Sequence, residues 1–482
     1  MTKEEELQAL REENRTLKAL VAELLPLKEQ LAQATARIKE LEARLATDSG
    51  TSSKPPSSDG LGRLPRSTRR PSGKRPGGQA GHTRHTLPMV EQPAERVRHR
   101  PAVCQQCHAD LSAVAGRVVE RRQVLDVPEI QLLALEHQIE AICCPHCHTT
   151  SLGSFPPSVS APVQYGPNIQ ALAVYLHQGQ LLPTARTCEA LAAFCGCQIA
   201  EATLLQWSEL AAERLAPTVE RIAELLVGSP LQHGDETGIR VSGMLHWLHV
   251  NSTGLLTHLT WHASRGREVM DEIGIWPRFA GRGMHDRLAS YDAYGCAHSI
   301  CGAHLMRDCA AVAQQEHQQW AAEMHDFLCD LHDACQEWRL LHLPAVPALE
   351  RDDWVARYFE ILAAGYAAQP PPPASSAGSR KGRRKQSKAK NLLDALLSRA
   401  EQVLALLDDL RIPFTNNQAE RDLRWAKVQQ KISGTFRSAT GVTAFCRIRS
   451  YLSTMQKQGH SMLSALTAVF QGHPLPVAWG PE

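Results

Sequence analysis

Three acidic residues stand in three different kinds of local sequence, and together they could hold divalent cations. Asp235 lies in Leu-Gln-His-Gly-Asp-Glu-Thr-Gly over 231–238, Asp286 closes Gly-Met-His-Asp over 283–286, and Glu420 lies in Pro-Phe-Thr-Asn-Asn-Gln-Ala-Glu-Arg-Asp-Leu-Arg over 413–424. Asp235 ends an apolar run and precedes alternating segments at 245–250 and 255–261 that read as strands, and Asp286 ends another short strand. Asn416 or Asn417 can cap a helix, which places Glu420 in its first turns. Carboxylates on two strand ends and one helix can hold two cations, Mg²⁺ or Mn²⁺, that activate an attacking oxygen and stabilise a leaving one in phosphodiester transfer. The chain has 50 Asp plus Glu, mostly solvated by the usual rule, so the placement at strand ends is what singles these out.

Composition bounds what surrounds them. At 482 residues, 43% hydrophobic and 21% charged, the chain is long enough for three or more globular units and is not disordered as a whole. A formal net charge of +2 excludes an overall polycation, so any nucleic-acid contact must come from local basic patches. No apolar run of membrane-spanning length occurs, and the acidic start Met-Thr-Lys-Glu-Glu-Glu is unlike a secretory signal; a cytoplasmic location with no membrane partner is expected. The 14 cysteines then read as thiols or metal ligands.

Within residues 1–47, Leu10, Leu17, Leu24, Leu31, Ile38 and Leu45 recur every seventh place, a coiled-coil seam. It implies either homo-oligomerisation or a helical hairpin, with Pro26 expected to bend the helix or split it in two. Residues 48–88 turn to Ser, Pro, Gly and Arg and read as a basic disordered linker, either merely solvated or touching phosphates. Residues 89–152 carry Cys104, Cys107, Cys144 and Cys147 as two CxxC knuckles around a segment rich in strand formers, a zinc-ribbon pattern for one structural Zn²⁺; a redox CxxC is the alternative. Residues 155–227 read as helices, either a helix-turn-helix across Gly196 or plain core. In 228–450 a helical insertion at about 305–410 separates Asp286 from Glu420, and its basic run, including Arg383, Arg384 and Lys385, is a solvated loop or a clamp on DNA. A helical tail, 451–482, completes the chain.

The succession of coiled coil, Ser-Ser-Lys-Pro-Pro-Ser-Ser-Asp, Pro-Gly-Gly-Gln-Ala-Gly-His, paired CxxC, Asp-Glu-Thr-Gly, Cys-Gly-Ala-His at 301–304 and Asn-Asn-Gln-Ala-Glu-Arg at 416–421 resembles the transposases of insertion-sequence family sixty-six. The resemblance implies an α/β RNase H-like catalytic core with Asp235, Asp286 and Glu420 as its DDE triad. Beside that core would stand the helical insertion, the N-terminal coiled coil, the zinc ribbon and an all-helical DNA-binding segment. It further implies a bacterial, nucleoid-associated protein acting on double-stranded DNA, at the terminal inverted repeats of an element and at target DNA, with element-encoded accessory proteins. The family's Asp, followed five residues later by Tyr, fits Asp286 and Tyr291, although Asp292 competes for the position. His304 and Arg307 would contact DNA or brace the site, and among Asn416, Asn417, Arg421 and Arg424 at least one would orient Glu420 or hold a phosphate.

The expected reaction is hydrolysis at the element's end, followed by attack of the freed 3′-hydroxyl on target DNA. Two rivals remain open at this point: a non-catalytic DNA-binding protein on the same scaffold, and a metal-dependent nuclease without strand joining.

Overall fold

The computed structural model describes residues 3–45, 87–369 and 386–480. Helix α1 (Lys3–Leu45) runs through Pro26 as a single element. Of the bend or split expected at Pro26, the split does not occur: an interior proline costs about 3 kcal/mol, and a long run of Leu, Glu, Ala and Lys outweighs it. The seam residues Leu17, Leu24, Leu31 and Ile38 lie exposed along it.

The hairpin β1 (Ala141–Cys143) and β2 (Thr150–Leu152) is antiparallel, with Cys143 opposite Thr150. The stretch rich in strand formers before it makes no strand, Gln123 exchanges two hydrogen bonds of 2.7 Å with the Val90 backbone, and Val118, Val124 and Leu133 are exposed. β-propensity there finds no neighbouring face to pack on.

Helices α2 (Pro167–Val174), α3 (Thr184–Cys195) and α4 (Glu201–Val227) follow, and Gly196 ends α3 in the left-handed conformation. Leu191, Leu204, Trp207 and Leu215 of this group share an apolar core with Ile448, Tyr451, Leu466 and Phe470 from the chain's last two helices. The exposed side of α4 bears Glu201, Glu209, Glu213 and Glu220 together with Arg214 and Arg221.

A five-stranded mixed sheet forms the centre. β3 (Leu231–Val241), β4 (Met244–Ser252) and β5 (Thr257–His262) make an antiparallel meander. After α5 (Arg267–Ile273), β6 (Arg282–His285) and β7 (Ala297–Ile300) add parallel to β3, giving the order β5-β4-β3-β6-β7. From β7 the chain enters five helices: α6 (Gly302–Gln315), α7 (Gln319–Leu340), α8 (Ala348–Ala367), α9 (Lys388–Ser398) and α10 (Ala400–Leu404). They close a core around Trp320, Phe327, Tyr358 and Leu393 that extends to Met284 of β6 and Ile300 of β7. It returns through α11 (Asn417–Ser433) and α12 (Ala439–Lys457) and ends with α13 (Met462–Phe470).

Alternation along β3 sorts its side chains between the two faces. Ile239 and Val241 join Leu248, Val250 and Leu259 under Ala419, Leu423 and Phe445 of α11 and α12. Gly234 and Gly283 leave the opposite face bare for Trp276: a β-carbon on either would come within 2.6 Å and 2.5 Å of its ring. Gly283→Ala should therefore destabilise the protein by about 1–3 kcal/mol, measured by denaturant unfolding; an unchanged midpoint would show that Trp276 is free to shift.

Candidate metal centre

His233 on β3 pairs with Met284 on β6 in parallel register. Two residues further along each strand come Asp235 and Asp286, which alternation carries to one and the same face. Asp235 is not at a strand end, as the apolar run before it suggests; it sits within β3 opposite Val250, and β6 is the strand that stops, at His285. Backbone N–H groups fix one oxygen of each carboxylate: Glu236 donates to Asp235 Oδ1 at 2.8 Å and Leu288 to Asp286 Oδ1 at 2.8 Å.

Glu420 arrives on the first turn of α11, which is bolted to β3 by Asn416. That side chain does not cap the helix, as its type suggests. Its amide donates to the Gly234 carbonyl at 2.8 Å, its Oδ1 accepts from His233 Nδ1 at 2.8 Å, and its backbone N–H points to Cys301 Sγ at 3.1 Å. Gly302 admits the Phe414 ring, which would come within 2.4 Å of a β-carbon there, so α6 and α11 start side by side. His304 Nδ1 consequently lies 4.0 Å from Glu420 Oε1, and both atoms are buried without a hydrogen-bond partner.

The electrostatics match this crowding. Burial holds the Asp235 carboxyl well above the usual carboxylate range, and the negative charges of Glu236, Asp286 and Glu420 push the same way. Burial also raises Glu236 to about 7, against the hydrogen bond donated by the Tyr291 hydroxyl. Among the described residues, no lysine or arginine pairs with Asp235, Asp286 or Glu420. Asp292, the rival of Asp286, is instead ion-paired with Arg399.

The remaining expected residues divide by exposure. Asn417, Arg421 and Arg424 lie exposed on α11, Arg421 donating to the Asn417 carbonyl and the Gln418 side chain. Arg307 is half-buried on α6, one turn past His304. Arg383, Arg384, Lys385 and the basic stretch 48–88 lie outside the described residues. Cys301 was visible only as part of a motif, and its nearness to Glu420 depends on a contact between residues 301 and 416 that no local pattern announces.

The two CxxC knuckles share one design. The N–H of His108 donates to the Cys104 carbonyl at 3.0 Å and that of His148 to the Cys144 carbonyl at 2.9 Å, with φ of 56° and 59° at the two histidines. Hydrogen bonds, the largest from the Cys107 N–H to Cys104 and from the Thr149 side chain to Cys147, lower both thiols from their ordinary value. Among the described residues, the group of three or more donors whose ligand atoms all lie within 4.8 Å of one another is Cys301, His304 and Glu420, so the knuckles are formed separately in this structure.

A family model described as Transposase IS66 family matches residues 162–444, from before α2 into α12, and so takes in the whole centre. The chain belongs to that family. A second model, a family of unknown function (DUF6444), matches residues 2–88, across α1 and the basic stretch. A search of the curated proteins finds no match. Membership gives the protein a transposase role and DNA as its partner, and among the described residues no helix is long and apolar enough to cross a membrane.

Burial lowers His233 to about 4, so the folded protein refuses a proton that the unfolded chain accepts below about 6.5. The stability its neutral ring contributes is complete above pH 6.5 and is lost as pH falls towards 4. Wild type should therefore lose thermal stability relative to His233→Gln between pH 6.5 and 4; parallel melting curves across that window would contradict the assignment.

Proposed function

We propose that this chain is a DDE transposase with an RNase H-like core, cutting the ends of its insertion sequence and joining them to target DNA. The observation that carries the reading is that Asp235, Asp286 and Glu420 lie near enough for the charges of the last two to act on the first, with no basic partner among the described residues. The antiparallel meander followed by two parallel strands, with acids on the first strand, after the fourth and on a returning helix, supports the same core.

Crowded, half-buried carboxylates with oxygens left unpartnered are the donor set that hard divalent cations take. Two Mg²⁺ or Mn²⁺ ions held by Asp235, Asp286 and Glu420 would activate the attacking oxygen and neutralise charge on the leaving 3′ oxygen. The chain's own groups do the positioning. The Glu236 and Leu288 amides each fix one carboxylate oxygen, leaving its twin free of that bond. Asn416 sets the height of α11 against β3, and with it Glu420. Arg421 and Arg424, exposed beside Glu420, suit contacts to DNA phosphates.

The partners follow from the same reading: double-stranded DNA at terminal inverted repeats and at the target, with element-encoded accessory proteins, in the bacterial cytoplasm. The exposed heptad seam of α1 supports a homo-oligomer that would bring two ends together. The twin knuckle turns, with thiols easier to ionise than usual, support a structural Zn²⁺ on Cys104, Cys107, Cys144 and Cys147. Cys107→Ser with Cys147→Ser should then remove one zinc per chain by elemental analysis; unchanged zinc would rule the assignment out.

The decisive assay is Mg²⁺-dependent cleavage and joining of a plasmid carrying the element ends. Asp235→Asn, Asp286→Asn and Glu420→Gln should each lose about a thousandfold in rate, the several kcal/mol that a bound cation contributes, whereas Asp292→Asn should retain activity. Full activity in any of the three triad variants would remove that residue from the centre. Cleavage without joining in the wild type would make the protein a nuclease.

A further inference from the structure

We infer that Cys301, His304 and Glu420 form a site for a borderline-soft divalent ion such as Zn²⁺, beside the acidic triad and sharing Glu420 with it. The donor atoms of these three residues all lie within 4.8 Å of one another. Two of them, His304 Nδ1 and Glu420 Oε1, are buried without a hydrogen-bond partner although 4.0 Å apart. Unpaired buried polar atoms are rare because each costs about 1–3 kcal/mol, and a cation between them would satisfy both.

The fold places this trio deliberately close. Cys301 is the residue preceding α6 and His304 follows three places later, so both face one side of the helix start. Gly302 lets the Phe414 ring approach, its backbone N–H donates to the Phe414 carbonyl at 2.8 Å, and Asn416 N–H reaches the Cys301 sulfur. Helix α11 is thereby drawn against α6 until Glu420 meets His304.

The donor set differs in kind from the triad. Three carboxylates suit Mg²⁺ or Mn²⁺, whereas a thiol, an imidazole and a carboxylate suit Zn²⁺ and Co²⁺. The thiol is neutral while buried, so ligation exchanges its proton, released to solvent, for a sulfur–metal bond. An ion here would claim an oxygen of Glu420, and the inference rests on the DDE reading only through that shared residue.

Co²⁺ is the probe. The metal-free full-length protein, with Cys107→Ser and Cys147→Ser in every sample, the one otherwise wild type included, so that the knuckles stay silent, is titrated with Co²⁺ and followed by near-ultraviolet sulfur-to-cobalt charge transfer and by equilibrium dialysis. Wild type should take up Co²⁺ with a charge-transfer band. Cys301→Ser should lose the band, and His304→Gln, which keeps most of the side chain's volume, should weaken binding by at least about tenfold. Equal uptake and equal spectra in wild type and His304→Gln would overturn the inference. Co²⁺ uptake of the expected kind in a protein that fails to cut DNA with Mg²⁺ would sink the DDE reading and leave this site standing. Cutting without any difference in Co²⁺ uptake would do the reverse.

Discussion

The centre depends on one side chain, Asn416. Its amide, its carbonyl oxygen and its backbone N–H each go to a different partner, namely the Gly234 carbonyl, the His233 ring and the Cys301 sulfur. It is fully buried. Each bond is worth about 1 kcal/mol net, yet losing the residue would strand several buried polar groups at once. Those three partners lie on β3 and just before α6, and Asn416 itself opens α11, so a single residue fixes the relative height of every element that contributes a donor except β6. The strand β6 is fixed separately, by the parallel rung between His233 and Met284. His233 thus belongs to both constraints, which explains why burial is allowed to hold it neutral.

What is held together in this way repels itself. Asp235 is buried among the charges of Glu236, Asp286 and Glu420, and such an arrangement opposes folding unless protons or cations relieve it. The apolar packing around it supplies the compensation. Trp276 lies against Gly234 and Gly283, directly behind the rung that carries the two aspartates, and Tyr291 donates to Glu236 from the turn that follows Asp286. A ligand that binds the folded state alone stabilises it by mass action, so on the proposed reading cation binding would add to the stability of β3 and β6. The aromatic layer keeps the acids in place before any cation arrives.

Local sequence made part of this legible. Asp286 after a four-residue strand and Glu420 one turn into a helix are features of a few neighbouring residues, and periodicity exposes them. Asp235 was legible in kind but not in position: the apolar run before it stops, yet β3 continues as far as Val241 because β4 still pairs with it. Asn416 has the residue type of a cap, and tertiary partners 182 and 183 residues away in sequence claimed its side chain instead. Strand formers over 118–140 make no strand for the opposite reason, since Val118, Val124 and Leu133 among them stay exposed. Glu236, adjacent to Asp235 and on the other face of the strand, carried no signal apart from its bond to Tyr291.

The long insertion between Asp286 and Glu420 is joined to the centre more closely than its length suggests. Helices α6–α10 build a large core together with Met284 of β6, Ile300 of β7 and Phe414, which a loop excursion would not require. Its first helix begins at Gly302, under the Phe414 ring, and its last connection delivers Phe414, Thr415 and Asn416 straight into α11. Entry and exit of the insertion are therefore packed against each other beside Glu420. A tilt of α6 relative to α11 would change the 4.0 Å between His304 Nδ1 and Glu420 Oε1 or the packing of Phe414 on Gly302. The insertion thus bears on the third carboxylate through the Gly302–Phe414 contact and on the sheet through Met284 and Ile300, which share its core.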